Sequence, residues 1–171
     1  MGIQKMIQLS MADLSNPTFA TSFKLAQLGV RHRVLKCHIT DTQYRKITAG
    51  LNLNEATQRK TKLQPPRTII QTKYDLVHLA LNTYLKFNDD NGISLTAVHT
   101  THELLSRENF NVSADDIATT CYEYHVASGH LEYETANVTM TVDKCCNCNS
   151  TVLRYLEAPE SCPFCSSILN G

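Results

Sequence analysis

Two Cys-x-x-Cys pairs set thirteen residues apart, Cys145–Cys148 and Cys162–Cys165, restrict this chain more than any other feature. A Cys-x-x-Cys turn folds two thiolates toward one point, and two such turns supply the four tetrahedral ligands that zinc favours. The intervening "NSTVLRYLEAPES" suits a short hairpin, and the strand-like "TMTVD" and "TVLRYL" flank the first turn as in a zinc ribbon. Cys145, Cys148, Cys162 and Cys165 are therefore the predicted ligands of one structural zinc ion per chain. With four thiolates no coordination position is left for water. Such an ion stabilises a segment too small to bury a core alone. Cys146 reads as a bystander or a thiol close beside the site, able to replace Cys145 only through the tighter Cys-x-Cys spacing.

Two other readings compete for the same residues. Cys-Pro-Phe-Cys matches the redox tetrapeptide of glutaredoxin-like proteins, but there the pair follows an early strand and opens a helix. Here six residues follow Cys165. His130-Leu131-Glu132 offers half of a zinc-deaminase signature, yet Ser161 stands where that signature has proline. Neither reading gives Cys145 and Cys148 a role.

The bulk composition is that of an ordinary globular chain: 171 residues, 42% hydrophobic, 19% charged, no tryptophan. No apolar run approaches the length of a membrane span, so no membrane partner is expected. The start "MGIQKMIQLSMADLSNP" lacks the apolar core and cleavage site of a secretion signal, and Met6 breaks the myristoylation pattern. The expected location is cytoplasmic. Stable disulfides are rare there, and five of the seven cysteines fall in the last 27 residues, which again points to a metal.

Periodicity predicts a mainly α-helical chain with a small C-terminal zinc-ribbon-like β module. Residues 18 to 39 read as one helix, and Thr40 caps a second over "DTQYRKITAGL". Tyr44, Ile47, Thr48 and Leu51 share a face of that second helix, and Thr42, Arg45, Lys46 and Ala49 lie opposite. Gly50 and "LNLNEA" end it, and "TQRKTKLQPPRT" reads as an extended arm or loop. Helices follow over "TIIQTKYDLVHLALNTYLKF", "SLTAVHTTHELLS" and "SADDIATTCYEYHVASGH", the last closing at Gly129. "LEYETANVTMTVD" alternates and reads as one or two strands. The expected division is a helical domain over 1–129 and the four-cysteine module over 130–171.

The formal net charge of zero conceals an asymmetry. From Lys24 to Arg67 there are ten basic and two acidic residues; from Thr68 onward there are five basic and thirteen acidic. Either the halves attract each other within one fold, or the basic stretch presents a surface to a polyanion. The helices between Lys24 and Gly50 resemble a helix-turn-helix, without a glycine at the turn. On that reading Arg45 and Lys46 reach bases or phosphates, while Arg31, Arg33, Lys36, Arg59, Lys60, Lys62 and Arg67 mostly neutralise phosphates. An enzyme has little in its favour: there is no nucleophile–base pair, phosphate loop or open metal site. His99 and His102 read as helix-surface or core histidines.

Taken in order, "LAQLGVRHRVLKCHIT", a short basic helix, a "QPPR" loop, "YHVASGHLEYE" and the "CCNC…CPFC" ending resemble the FlhC family, the zinc-binding subunits of flagellar master activators. The resemblance is collinear from about Ser22 to Cys165. It implies that Cys145, Cys148, Cys162 and Cys165 bind zinc. It also implies assembly with a small helical FlhD-like subunit, binding of the heteromer to double-stranded promoter DNA, and recruitment of RNA polymerase. Two departures stand out: FlhC proteins continue into a basic tail where this sequence has Ser166–Gly171, and the inner cysteine is shifted. The missing tail removes one possible DNA contact, and the divergence elsewhere suits the FlhC-like activators of conjugative plasmids and integrative elements, which switch on transfer genes. The alternative is a zinc-ribbon adaptor that binds RNA polymerase or another protein without touching DNA.

Overall fold

Among the described residues four helices stop at a residue with positive φ, and those stops set the local architecture. The computed structural model describes residues 11–53, 73–89, 92–131, 140–155 and 161–165. They belong to two compact units, Met1–Leu63 and Gln64–Gly171. In the first unit, α1 (Met11–Ser15) precedes α2 (Pro17–Gln27), whose N-cap Asn16 accepts the Phe19 amide at 3.1 Å. The continuous helix expected over 18 to 39 does not form. Gly29 adopts φ 86°, and the amides of Gly29 and Val30 turn back to the carbonyls of Ala26 and Leu25, each at 3.0 Å. Val30 and Leu25, both buried, close this Schellman stop with an apolar contact position. Only the four-residue α3 (His32–Leu35) follows before α4.

Gly29→Ala therefore carries a defined expectation. A Cβ at this position meets nothing within 4 Å, so the penalty is purely conformational. The expected loss is about 1–2 kcal/mol, the usual cost of a left-handed alanine. Urea unfolding of the full chain reads it, and a much larger loss would show that the space is not open.

The helix α4 (Asp41–Gly50) begins with a capping box: Gln43 donates its amide to Thr40 Oγ1 at 3.3 Å, and Thr40 donates its amide to Gln43 Oε1 at 2.9 Å. Tyr44, Ile47 and Thr48 are buried, as their spacing predicts. Gly50 lies inside the helix; the stop is Asn52, at φ 52°, with the Leu53 amide returned to Thr48 at 2.8 Å. Phe19, Leu25, Val34, Leu35, Tyr44 and Ile47 make the core of this unit, and the His32 ring packs on Tyr44 with centroids 4.1 Å apart.

In the second unit α5 (Tyr74–Tyr84), α6 (Leu95–Arg107) and α7 (Ala114–Ala127) pack pairwise. Ser94 and Ser113 cap α6 and α7 by accepting the amides of Ala97 and Asp116, and Asn109 (φ 61°) and Gly129 (φ 74°) stop them. Val77, Leu81, Val98, Leu105, Ile117 and Cys121 fill the space between. His125 is buried in the same region. Burial first, then the charge of His130, lowers it from the usual 6.5 to about 4, and burial also lowers His78. An unfolded chain takes up these protons near 6.5, while the folded chain refuses the His125 proton until about 4. Stability is thus complete above pH 6.5 and falls as pH drops toward 4, by ~3 kcal/mol for His125 alone. Urea midpoints compared at neutral and mildly acid pH check this; equal midpoints would contradict it.

The chain closes with a hairpin, β1 (Met140–Lys144) antiparallel to β2 (Thr151–Tyr155), in a register that sets Lys144 opposite Thr151 and Met140 opposite Tyr155. Asp143 and Arg154 pair diagonally across it at 2.8 Å. The first part of the expected strand region, 132–139, lies outside the described residues. The hairpin packs on α7 through β1 and on α5 through β2. The unit boundary accordingly falls at Leu63/Gln64, and the cysteine module shares a unit with α5 to α7. Among the described residues no helix is long and apolar enough to cross a membrane.

Candidate metal centre and basic unit

The sulfur atoms of Cys145, Cys148, Cys162 and Cys165 all lie within 4.8 Å of one another. Three of the separations are 3.3 Å (Cys145–Cys165), 3.6 Å (Cys148–Cys162) and 3.7 Å (Cys148–Cys165). One point is therefore within bonding reach of all four, and these residues are positioned to bind a metal ion. The local chain explains the convergence. Cys145 follows β1, its amide bonds to the Ser150 carbonyl at 3.0 Å and its carbonyl accepts the Asn149 amide at 2.9 Å. Asn149 takes φ 57°, which turns the chain straight into β2. In the second knuckle the Phe164 amide donates to Cys162 Sγ at 3.4 Å, and that bond favours a thiolate there.

The site is buried on one side only. Cys145 and Cys162 are 2% and 3% exposed and share a small core with Val152, while Cys148 is open to solvent. Burial pushes the Cys162 thiol up to about 12. The hydroxyl of Ser150, 3.2 Å from Cys148 Sγ, and then its amide hold Cys148 below the ordinary thiol range. Binding a cation would deprotonate the buried thiols and release their protons. With all four positions occupied by sulfur the site can stiffen the module but offers no position to a substrate. Cys146 is exposed on the turn of the first knuckle.

A face of α5 that the sequence reading did not single out fixes this module in place. Tyr74 packs on the Cys145–Cys162 cluster and donates its hydroxyl to the Ser161 carbonyl at 3.3 Å. One turn on, His78 Nδ1 lies 2.6 Å from the Tyr74 carbonyl, so it carries the proton and donates it there. Its Nε2 lies 3.1 Å from both the carbonyl and the amide of Leu153, and on the neutral ring it accepts the amide. One further turn on, Asn82 accepts the Thr151 amide and donates to the Thr151 carbonyl, both at 2.8 Å. The edge of β2 that faces away from β1 is thus satisfied by helix side chains rather than by a third strand. The signal available in the sequence was the i, i+4, i+8 spacing of three polar aromatic or amide residues on an otherwise apolar helix.

The basic residues separate into three groups. Lys36 and Arg45 are exposed; Arg31, Arg33 and Lys46 are half-buried. Lys46 does not stand free on the outer face of α4, because its ammonium pairs with Asp13 at 2.8 Å. Arg59, Lys60, Lys62 and Arg67 lie outside the described residues. The acidic side chains of the first unit are themselves engaged among the described residues: Asp13 by Lys46 and Asp41 by His32 at 3.3 Å. His99 and His102 are half-buried on α6, beside Glu103 and Ser106, and join no metal-ligating group among the described residues. Comparison with known proteins returns no matching family model, no similar curated protein and no matching solved structure.

Proposed function

We propose that this chain is a non-enzymatic, DNA-binding subunit of a transcriptional activator, with one structural zinc ion in its second unit. The observation that carries the reading is that the charge asymmetry follows the boundary between the units. Met1–Leu63 holds ten basic and three acidic residues, and Gln64–Gly171 holds six and thirteen. The basic stretch thus falls largely within one unit, and on this reading its counterpart is an external polyanion. Among the described residues Lys24, Lys36 and Arg45 are its exposed basic charges, and α3 and α4 stand in the order of a helix-turn-helix.

The zinc assignment is supported by size and by ligand type. A tetrahedral ion with Zn–S bonds of about 2.3 Å needs sulfurs about 3.8 Å apart. Three sulfur separations of 3.3–3.7 Å, with all four atoms within 4.8 Å of one another, reach that value with small movements. The family resemblance adds an FlhD-like helical partner, for which the acidic unit offers a surface, and recruitment of RNA polymerase to flagellar-type or conjugative-transfer promoters.

Duplex binding by fluorescence anisotropy across about 50–200 mM salt tests the reading. The expected log–log slope is steep, and Lys36→Ala with Arg45→Ala reduces its magnitude by about 1–2. Affinity that ignores salt, or a double variant with the parental slope, would overturn it. Polymerase capture by a chain that binds no duplex would favour the adaptor role instead.

A further inference from the structure

At the C-terminus of α7 four polar groups stand in one hydrogen-bonded line. The Ser94 amide donates to the Tyr84 hydroxyl at 3.1 Å, that hydroxyl lies 2.8 Å from His125 Nε2, and His125 Nδ1 lies 3.1 Å from His130 Nδ1. The inner members, Tyr84 and His125, are 0% and 1% exposed, whereas His130 is open to solvent. The line thus runs from the surface through the helical core to the N-cap residue of α6.

We propose that this line is a reversible hydrogen-bond relay whose polarity is set by protonation of His130. The Ser94 amide always donates, but the two junctions at His125 can each be made in two directions. With both histidines neutral, the phenol is the more acidic donor. It gives its hydrogen bond to His125 Nε2, and His125 Nδ1–H donates to His130 Nδ1. Once His130 gains a proton both its nitrogens are donors, so its Nδ1–H points at His125. His125 must then present a lone pair at Nδ1 and carry its single proton on Nε2, facing Tyr84. The hydroxyl of Tyr84 becomes an acceptor for both His125 and the Ser94 amide. The net change is one proton gained: the Nδ1 proton of His125 passes to His130, the proton taken up from solvent comes to rest on His125 Nε2, and Tyr84 keeps its own proton, turned out of the line. A second proton is resisted until well below the usual histidine range, because two N–H groups would face each other across 3.1 Å.

The surroundings suit this role. Among the described residues α5 presents Tyr84, α7 presents the Tyr124 ring to both histidines, and α6 presents the Ser94 amide. The charge acting on His125 is that of His130, with no carboxylate contributing. The Schellman stop at Gly129 places His130 at the end of the line, with its amide returned to the His125 carbonyl at 2.8 Å. Protonation at the point where the chain leaves α7 is thereby felt at the start of α6.

Nitrogen-15 correlation spectra of the imidazoles in the full metal-loaded chain, followed over pH, test the relay. As His130 titrates, the Nδ1–H to Nε2–H ratio of His125 should fall about tenfold or more, and the Ser94 amide should shift with the same midpoint. His130→Gln, at an exposed position, should abolish both changes and raise the His125 midpoint by roughly one pH unit. Tyr84→Phe should cut the Ser94 response while leaving the His130 titration in place. A His125 tautomer that stays fixed while His130 titrates, or a Ser94 response that persists in His130→Gln, would overturn the proposal.

Discussion

Cys162→Ser is expected to lower bound metal from one ion per chain to near zero and to unfold the hairpin with it. Cys162 is 3% exposed and shares its core with Cys145 and Val152, so the substitution removes a ligand where water cannot readily replace it. Structural four-ligand sites contribute on the order of 10 kcal/mol to the folding of the segments that hold them. A two-stranded hairpin has little else to sustain it. Native mass spectrometry and bound-metal analysis read the first effect, and loss of amide protection over residues 140–155 reads the second. Cys146→Ser serves as the comparison, since Cys146 is exposed on the knuckle turn and outside the four converging sulfurs; it should retain the ion. A chain that keeps its metal after Cys162→Ser would show that the four sulfurs do not act as one site. Loss of thiol–disulfide exchange with metal retained would restore the redox reading of Cys-Pro-Phe-Cys.

Asn82→Leu should cost about 2–4 kcal/mol, the second largest effect expected. The side chain makes one donor and one acceptor contact to Thr151, both at 2.8 Å, and leucine leaves that amide and carbonyl without them on an edge covered by α5. Orphaning a buried polar group costs about 1–3 kcal/mol, and two are orphaned together. Asn82→Asp should fall between, because it keeps an acceptor for the Thr151 amide but sets a carboxylate against the carbonyl. Equilibrium unfolding of the metal-loaded protein separates the three. If Asn82→Leu unfolds like the parent, the strand is held by the ion and the apolar contacts alone.

Much of this fold was legible because the signals were local. Thr40, Ser94 and Ser113 cap the helices that they precede, and the spacing of Tyr44, Ile47 and Thr48 names the buried face of α4. The four converging cysteines were legible for the same reason, since two short turns carry all the geometry. What escaped was long-range or conformational. Apolar periodicity runs past Gly29, yet one left-handed residue is enough to end α2 there, and Asn52 rather than Gly50 ends α4. The docking of β2 on α5 joins residues such as His78 and Leu153, 75 apart in the chain, through main-chain atoms that have no sequence signature. Lys46 looked free because Asp13, its partner, sits 33 residues earlier on another helix.

The division of charge between the two units has a practical side. A chain with no formal net charge and a sequence pI near 7.0 would ordinarily be expected to pass through ion exchangers of either sign at neutral pH. This one carries ten cationic side chains in one unit and thirteen anionic ones in the other, so each resin meets a surface that it can hold. Retention on both, released by modest salt, is the behaviour expected of a chain whose charges are segregated by unit rather than mixed. The same property makes low-salt storage hazardous, because the basic unit of one molecule attracts the acidic unit of another and nothing in a zero total charge keeps them apart.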